Sequence, residues 1–247
     1  QPGNAPAAIH GALAASVDTI SITTGASSTI SSVGNVLANG DANSGGTIFL
    51  DATVASFTLN NSGLIIAGSE ATASASAVEG NNAIRIADIG ANAVSITNAA
   101  SGNIKALGDT AIYLQGDSAD ITEFTLSNSG EIAADNDLIV LENVNGAVTR
   151  ITNSGTLSVI ESAADHLINA SEVSADFSLV NSGDIESAGS RAIYVDMNNT
   201  SLVGSEMVVF NNQSGGRIDA DSDTVTLLDI NEQVNFDNSG AIRATAG

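Results

Sequence analysis

The chain has 247 residues, 43% of them hydrophobic, and a net charge of −22. One lysine and five arginines provide no cationic patch to neutralise phosphates, which excludes nucleic-acid binding and disfavours anionic membrane surfaces. Two histidines and no cysteine leave no zinc site, and no hydrophobic run approaches the ~20 residues that span a bilayer as a helix.

The opening Gln1-Pro-Gly-Asn-Ala-Pro6 reads either as the start of a mature chain after removal of a signal peptide or as an arbitrary boundary. Asp18-Thr-Ile20-Ser-Ile22-Thr-Thr-Gly25 and Thr47-Ile-Phe-Leu50 read as strands. Asn43-Ser44-Gly45 between them is an out-of-register copy of a phrase that recurs later. Residues 1–54 are therefore expected as irregular early coils or an N-terminal cap.

From residue 55 the pattern is regular. The phrase is an apolar residue, a spacer, Asn-Ser-Gly, a spacer and an apolar residue. It first reads Leu59-Asn-Asn61-Ser62-Gly63-Leu-Ile65. It recurs around Asn128 and Gly130, Asn153 and Gly155, Asn181 and Gly183, and Asn238 and Gly240. Copies around Asn98 and Asn212 carry two extra residues before Gly102 and Gly216. Each phrase is led in by an alternating run, such as Phe57-Thr-Leu59, Phe124-Thr-Leu126 or Phe177-Ser-Leu179, the period of a half-buried strand. Between phrases lies another short apolar run, such as Ala83-Ile-Arg-Ile86, Ala111-Ile-Tyr-Leu114 or Ala192-Ile-Tyr-Val195. The closing apolar positions Ile104, Ile132, Leu157, Ile185, Ile218 and Ile242 lie 24 to 33 residues apart. The longer step from Ile65 to Ile104 suggests an insertion around 71–82.

Three short strands per repeat predict an all-β parallel β-helix of roughly 25–30 residues per coil, with almost no α-helix. Leu59, Ile96, Leu126, Ile151, Leu179, Phe210 and Phe236 are expected to form one inward stack. The asparagines (Asn61, Asn98, Asn128, Asn153, Asn181, Asn212, Asn238) suit a ladder running along the stack. The glycines (Gly63, Gly130, Gly155, Gly183, Gly240) are expected to supply positive φ at a tight bend, and the serines to satisfy turn backbone. The chain stops soon after Ile242 without a polar cap, so residues 55–247 are expected to continue or stack beyond the C-terminus.

Chemistry-bearing residues are sparse. Asp219, Asp221 and Asp223 alternate along a strand-like run and are the candidate calcium ligands. The EF-hand pattern fails there, because Thr224 and Ile230 stand where Gly and Glu are needed. Solvated loop acids are the simpler reading, for these three and for Asp135-Asn-Asp137. Beyond calcium no cofactor is expected, since no phosphate-binding loop or dinucleotide fingerprint occurs. His166 is read as a loop or edge residue, and Arg85 and Arg191 as surface cations. Tyr113 and Tyr194 alternate with inward isoleucines and are expected to face outward.

Repeated Asn-Ser-Gly-x-Ile followed by Ala-Ile-x-Leu, in an acidic cysteine-free chain, resembles the passenger domains of Gram-negative autotransporters and related large surface adhesins. The resemblance covers about residues 55–247. It implies a right-handed parallel β-helix displayed at or released from the cell surface. The C-terminal membrane barrel of that family has no counterpart here, which suits a fragment or a cleaved product. The expected function is a non-enzymatic extracellular solenoid for adhesion, spacing or self-assembly into a fibre or surface layer. Its partners are expected to be copies of itself or a host or matrix surface ligand, with no membrane insertion by this segment. The alternative is a polysaccharide lyase or hydrolase on the same scaffold, signalled by long loops around converging acids.

Overall fold

The structure is a computed structural model. It describes residues 9–12, 17–32, 46–51, 54–68, 82–87, 93–115, 121–142, 144, 148–159, 166–171, 173, 176–188, 191–197, 207–230 and 233–245. These residues form 24 strands and no α-helix, arranged as eight coils of three strands.

Strands at equivalent places in successive coils pair in parallel, giving three eight-stranded sheets. The first sheet runs through Ile9–Ala12, Gly46–Asp51, Asn82–Ala87, Ile112–Gln115, Ile139–Glu142, His166–Ser171, Arg191–Asp196 and Val225–Leu228. The second runs through Val17–Thr24, Val54–Asn61, Ala93–Asn98, Glu123–Asn128, Val148–Asn153, Asp176–Asn181, Met207–Asn212 and Gln233–Asn238. The third runs through Thr29–Ser32, Leu64–Ala67, Asn103–Ala106, Glu131–Ala134, Thr156–Val159, Asp184–Ser187, Arg217–Ala220 and Ala241–Ala244. The repeat is thus a β-solenoid, each coil adding about 4.8 Å, the spacing of neighbouring strands.

The described residues before position 55 include early coils. Coil 1 and the opening strand of coil 2 lie before residue 55 and join the same three sheets, so the division at 54/55 falls inside a coil. Asn43-Ser44-Gly45 and most of the expected insertion at 71–82 lie outside the described residues.

The core consists of columns of like residues. On the second sheet Leu59, Ile96, Leu126, Ile151, Leu179, Phe210 and Phe236 stack in register as expected. All are buried except Phe236 in coil 8, which is 49% exposed. On the third sheet Ile65, Ile104, Ile132, Leu157, Ile185 and Ile218 form a second buried column. Branched aliphatic side chains suit this arrangement, because identical shapes pack on one another at strand spacing. One column holds an exception. Thr149, fully buried, stands between Phe124 and Phe177, and its hydroxyl has no hydrogen-bond partner.

The Asn-Ser-Gly turn joins the second sheet to the third. Its asparagines form an unbroken row. Thr24 Oγ1 donates to Asn61 Oδ1, and each following Asn Nδ2 donates to the next coil's Asn Oδ1, from Asn61 through Asn238. The amide-to-amide distances are all 2.8 or 2.9 Å. Each Nδ2 from Asn61 to Asn212 also faces its own turn's Gly carbonyl, as in Asn153 to Gly155 at 3.2 Å. The two-residue extensions after Asn98 and Asn212 leave this contact intact, to Gly102 and Gly216.

The glycines recur in the turn for a reason other than the expected one. Among the described glycines positive φ occurs at Gly68, Gly108 and Gly215, and none of the phrase glycines is among them. What the turn demands is close approach. A Cβ on Gly155 would lie 2.1 Å from Gly130 O, and one on Gly183 would lie 2.1 Å from Gly155 O. Each turn sits directly on the backbone of the turn before it, and only hydrogen fits between them. The serines likewise reach back one coil: Ser154 and Ser182 Oγ donate to the Asn128 and Asn153 carbonyls at 3.3 Å.

Candidate functional site

In a parallel solenoid, every second residue of a strand projects outward, and equivalent positions line up along the axis. On the first sheet one outward row runs Phe49, Arg85, Tyr113, Val140, Asn169, Tyr194, Thr226. This row collects both tyrosines of the chain and one of its five arginines. Both tyrosines alternate with inward residues, as expected.

The row divides into two parts. Towards coils 2 to 5, Phe49, Arg85 and Val140 are buried although they occupy outward positions. Arg85 is therefore not the surface cation expected from the sequence. Its guanidinium lies 5.1 Å from the Tyr113 ring centroid, a cation–π contact. Tyr113 donates from its hydroxyl to Glu142 in the next coil at 2.7 Å. Burial, then the hydrogen bond to Glu142 and its charge, push the Tyr113 phenol well above its ordinary range, and the Arg85 charge opposes this only in part.

On coils 6 and 7 the row opens to solvent, with Asn169, Arg191, Tyr194 and Asp196 half-buried. His166 is not a loop or edge residue. It begins the coil 6 strand, lies opposite Arg191 of coil 7, and donates from its backbone N–H to Asp137 Oδ1 at 3.0 Å. Arg191 Nη1 and His166 Nε2 are 3.0 Å apart. Arginine can only donate, so this nitrogen of His166 accepts. The His166 and Tyr194 rings meet at 4.7 Å, and the Arg191 guanidinium lies 5.8 Å from the Tyr194 centroid. Arg191 also reaches Asp223 of coil 8 at 3.4 Å, and Tyr194 donates weakly to Asp196 at 3.4 Å. Burial first, and the Asp196 charge second, raise the Tyr194 phenol above its ordinary range.

The three candidate calcium ligands do not converge. Asp219 pairs with Arg217, which also grips Glu186; Asp221 accepts from Thr245 at 2.9 Å; Asp223 pairs with Arg191. Among the described residues no group of three or more acids and histidines is placed to hold a metal ion. The alternation that suggested a shared face breaks because only Asp219 lies on a strand, while Asp221 and Asp223 belong to the bend that follows.

The cluster on coils 6 and 7 had little sequence signal. Its residues come from four coils, spread from Asp137 to Asp223, and the solenoid register alone brings them together. The tyrosine at the third place of Ala-Ile-Tyr-Val was the one visible hint. Comparisons with protein-family models, with curated proteins and with solved structures return no match.

Proposed function

We propose that this chain is a non-enzymatic extracellular surface module, a stiff column whose outer faces make adhesive contacts or hold other parts at a distance. The unbroken asparagine row carries this reading, because it ties all eight coils into one element with compact turns on one edge. A column built this way invests its sequence in rigidity and presents long ordered faces, as repeat scaffolds do. The alternating acids Asp219, Asp221 and Asp223 are engaged one by one with Arg217, Thr245 and Arg191. The resemblance to autotransporter passengers, the absence of cysteine and the charge of −22 agree with display outside the cell.

The test has two arms. Beads coated with the 247-residue chain are expected to be retained on extracellular-matrix or cell surfaces above uncoated beads, and the soluble chain to turn over none of a panel of polysaccharides. Turnover that disappears on replacing Asp219, Asp221 or Asp223 would overturn the reading in favour of an enzyme.

A further inference from the structure

We propose that the outer face of the first sheet at coils 6 and 7, centred on Tyr194, binds a neutral saccharide. The inference rests on the adhesive reading above and names its ligand class.

The first observation is a set of polar atoms lacking partners. Asn169 Oδ1 and Asp196 Oδ1 are both buried and accept no hydrogen bond within the protein. Both flank Tyr194: Asn169 is its in-register neighbour in coil 6, and Asp196 lies two residues along its own strand. An acceptor left in this state costs free energy unless a donor reaches it. The residues bearing these oxygens are half-buried rather than enclosed, so a small side-chain rotation brings them to the surface.

The second observation is the mixture of chemistry. An aromatic ring, two idle acceptors and the guanidinium of Arg191 lie on one ordered strand pair. A ligand that fits must offer hydroxyl donors to Asn169 and Asp196, acceptors to Arg191 and an apolar C–H face to the tyrosine. A sugar ring has all three.

Charge selects among sugars. An ammonium group would meet Arg191 beside the tyrosine ring. A carboxylate or phosphate would meet Asp223, which already pairs with that arginine, and Asp196, which lies within reach of the Tyr194 hydroxyl. With both signs present within one patch, neither charged class gains, and a neutral ring loses nothing.

The full chain is applied to an array bearing neutral cello-, manno- and malto-oligosaccharides, uronate-containing glycans and amino-sugar glycans. Retention of at least one neutral series is expected, with affinity falling about tenfold or more in Tyr194→Ala and persisting in Tyr194→Phe. Tyr113→Ala, three coils away, leaves binding unchanged. A second readout avoids disrupting the site. The chain has no tryptophan, so in Tyr113→Phe the emission of Tyr194 alone reports on the patch and is expected to change as the retained saccharide is added. Retention of charged glycans only, no retention of any neutral series, or binding that is indifferent to Tyr194→Ala overturns the proposal. Bead retention on matrix that survives Tyr194→Ala leaves the adhesive reading standing and removes this ligand.

Discussion

Thr149 occupies a position that its column reserves for apolar side chains, between Phe124 and Phe177, with its hydroxyl unpartnered. Valine has the same shape without the stranded oxygen, so Thr149→Val is expected to stabilise the protein by about 1–2 kcal/mol. A lower denaturation midpoint for the variant would show that the hydroxyl does find a partner. The opposite sign is expected one turn away. Gly155→Ala would put a methyl group 2.1 Å from Gly130 O, in backbone that cannot yield without opening the stack. The expected loss is about 3 kcal/mol or more, read as a fall in thermal midpoint. Sequence alone showed that Gly belonged in this turn but assigned the wrong cause. Positive φ is a property of one residue and its neighbours, whereas close approach depends on a carbonyl contributed by the previous coil.

The Asn-Ser-Gly turn is stabilised by contacts between coils more than within them. Asn153 receives from Asn128 and donates to Asn181 Oδ1, Gly155 O and Asp184 O. Asn153→Ala removes these four bonds together, at a cost of about 4 kcal/mol if each contributes about 1. Asn238, exposed in coil 8, accepts from Asn212, and Asn238→Ala is expected to cost about 1 kcal/mol or less. Equal losses at the two positions, measured by chemical denaturation, would show that the row does not act through its neighbours. The ladder and the core columns were legible because each recurs at a recognisable phrase. The Tyr194 cluster was not. Its members share no motif, and successive rungs of the asparagine row are separated by anything from 25 to 37 residues. Without knowing which loops absorb that variation, His166 and Arg191 cannot be placed side by side.

Across the whole molecule, 28 acids face six basic residues. The described ion pairs of Lys105, Arg191 and Arg217 are all on half-exposed cations, where such pairs contribute little. Self-repulsion among the remaining carboxylates therefore opposes the compact column. Raising ionic strength shortens the range of that repulsion, from about 10 Å at 0.1 M to about 3 Å at 1 M. The thermal midpoint is expected to rise with sodium chloride over this range. A midpoint that falls would mean that attractive pairs outweigh the repulsion.

The asparagine row also has a direction. Every amide points its N–H group towards the following coil and its oxygen towards the preceding one, held so by the Gly carbonyls beside each Nδ2. Seven aligned bonds make a one-dimensional polar wire, its small dipoles adding head to tail and polarising one another, by about 10–30% per bond in such chains. A single reversed amide would set two NH₂ groups face to face at one junction and two oxygens at the other, so the row can be reversed only as a unit. Thr24, whose hydroxyl needs only to donate into Asn61, serves as a starter that fixes the sense for all that follow. Each amide thus fixes the orientation of its neighbours on both sides, and the edge gains a polarity that the equivalence of its coils does not by itself require.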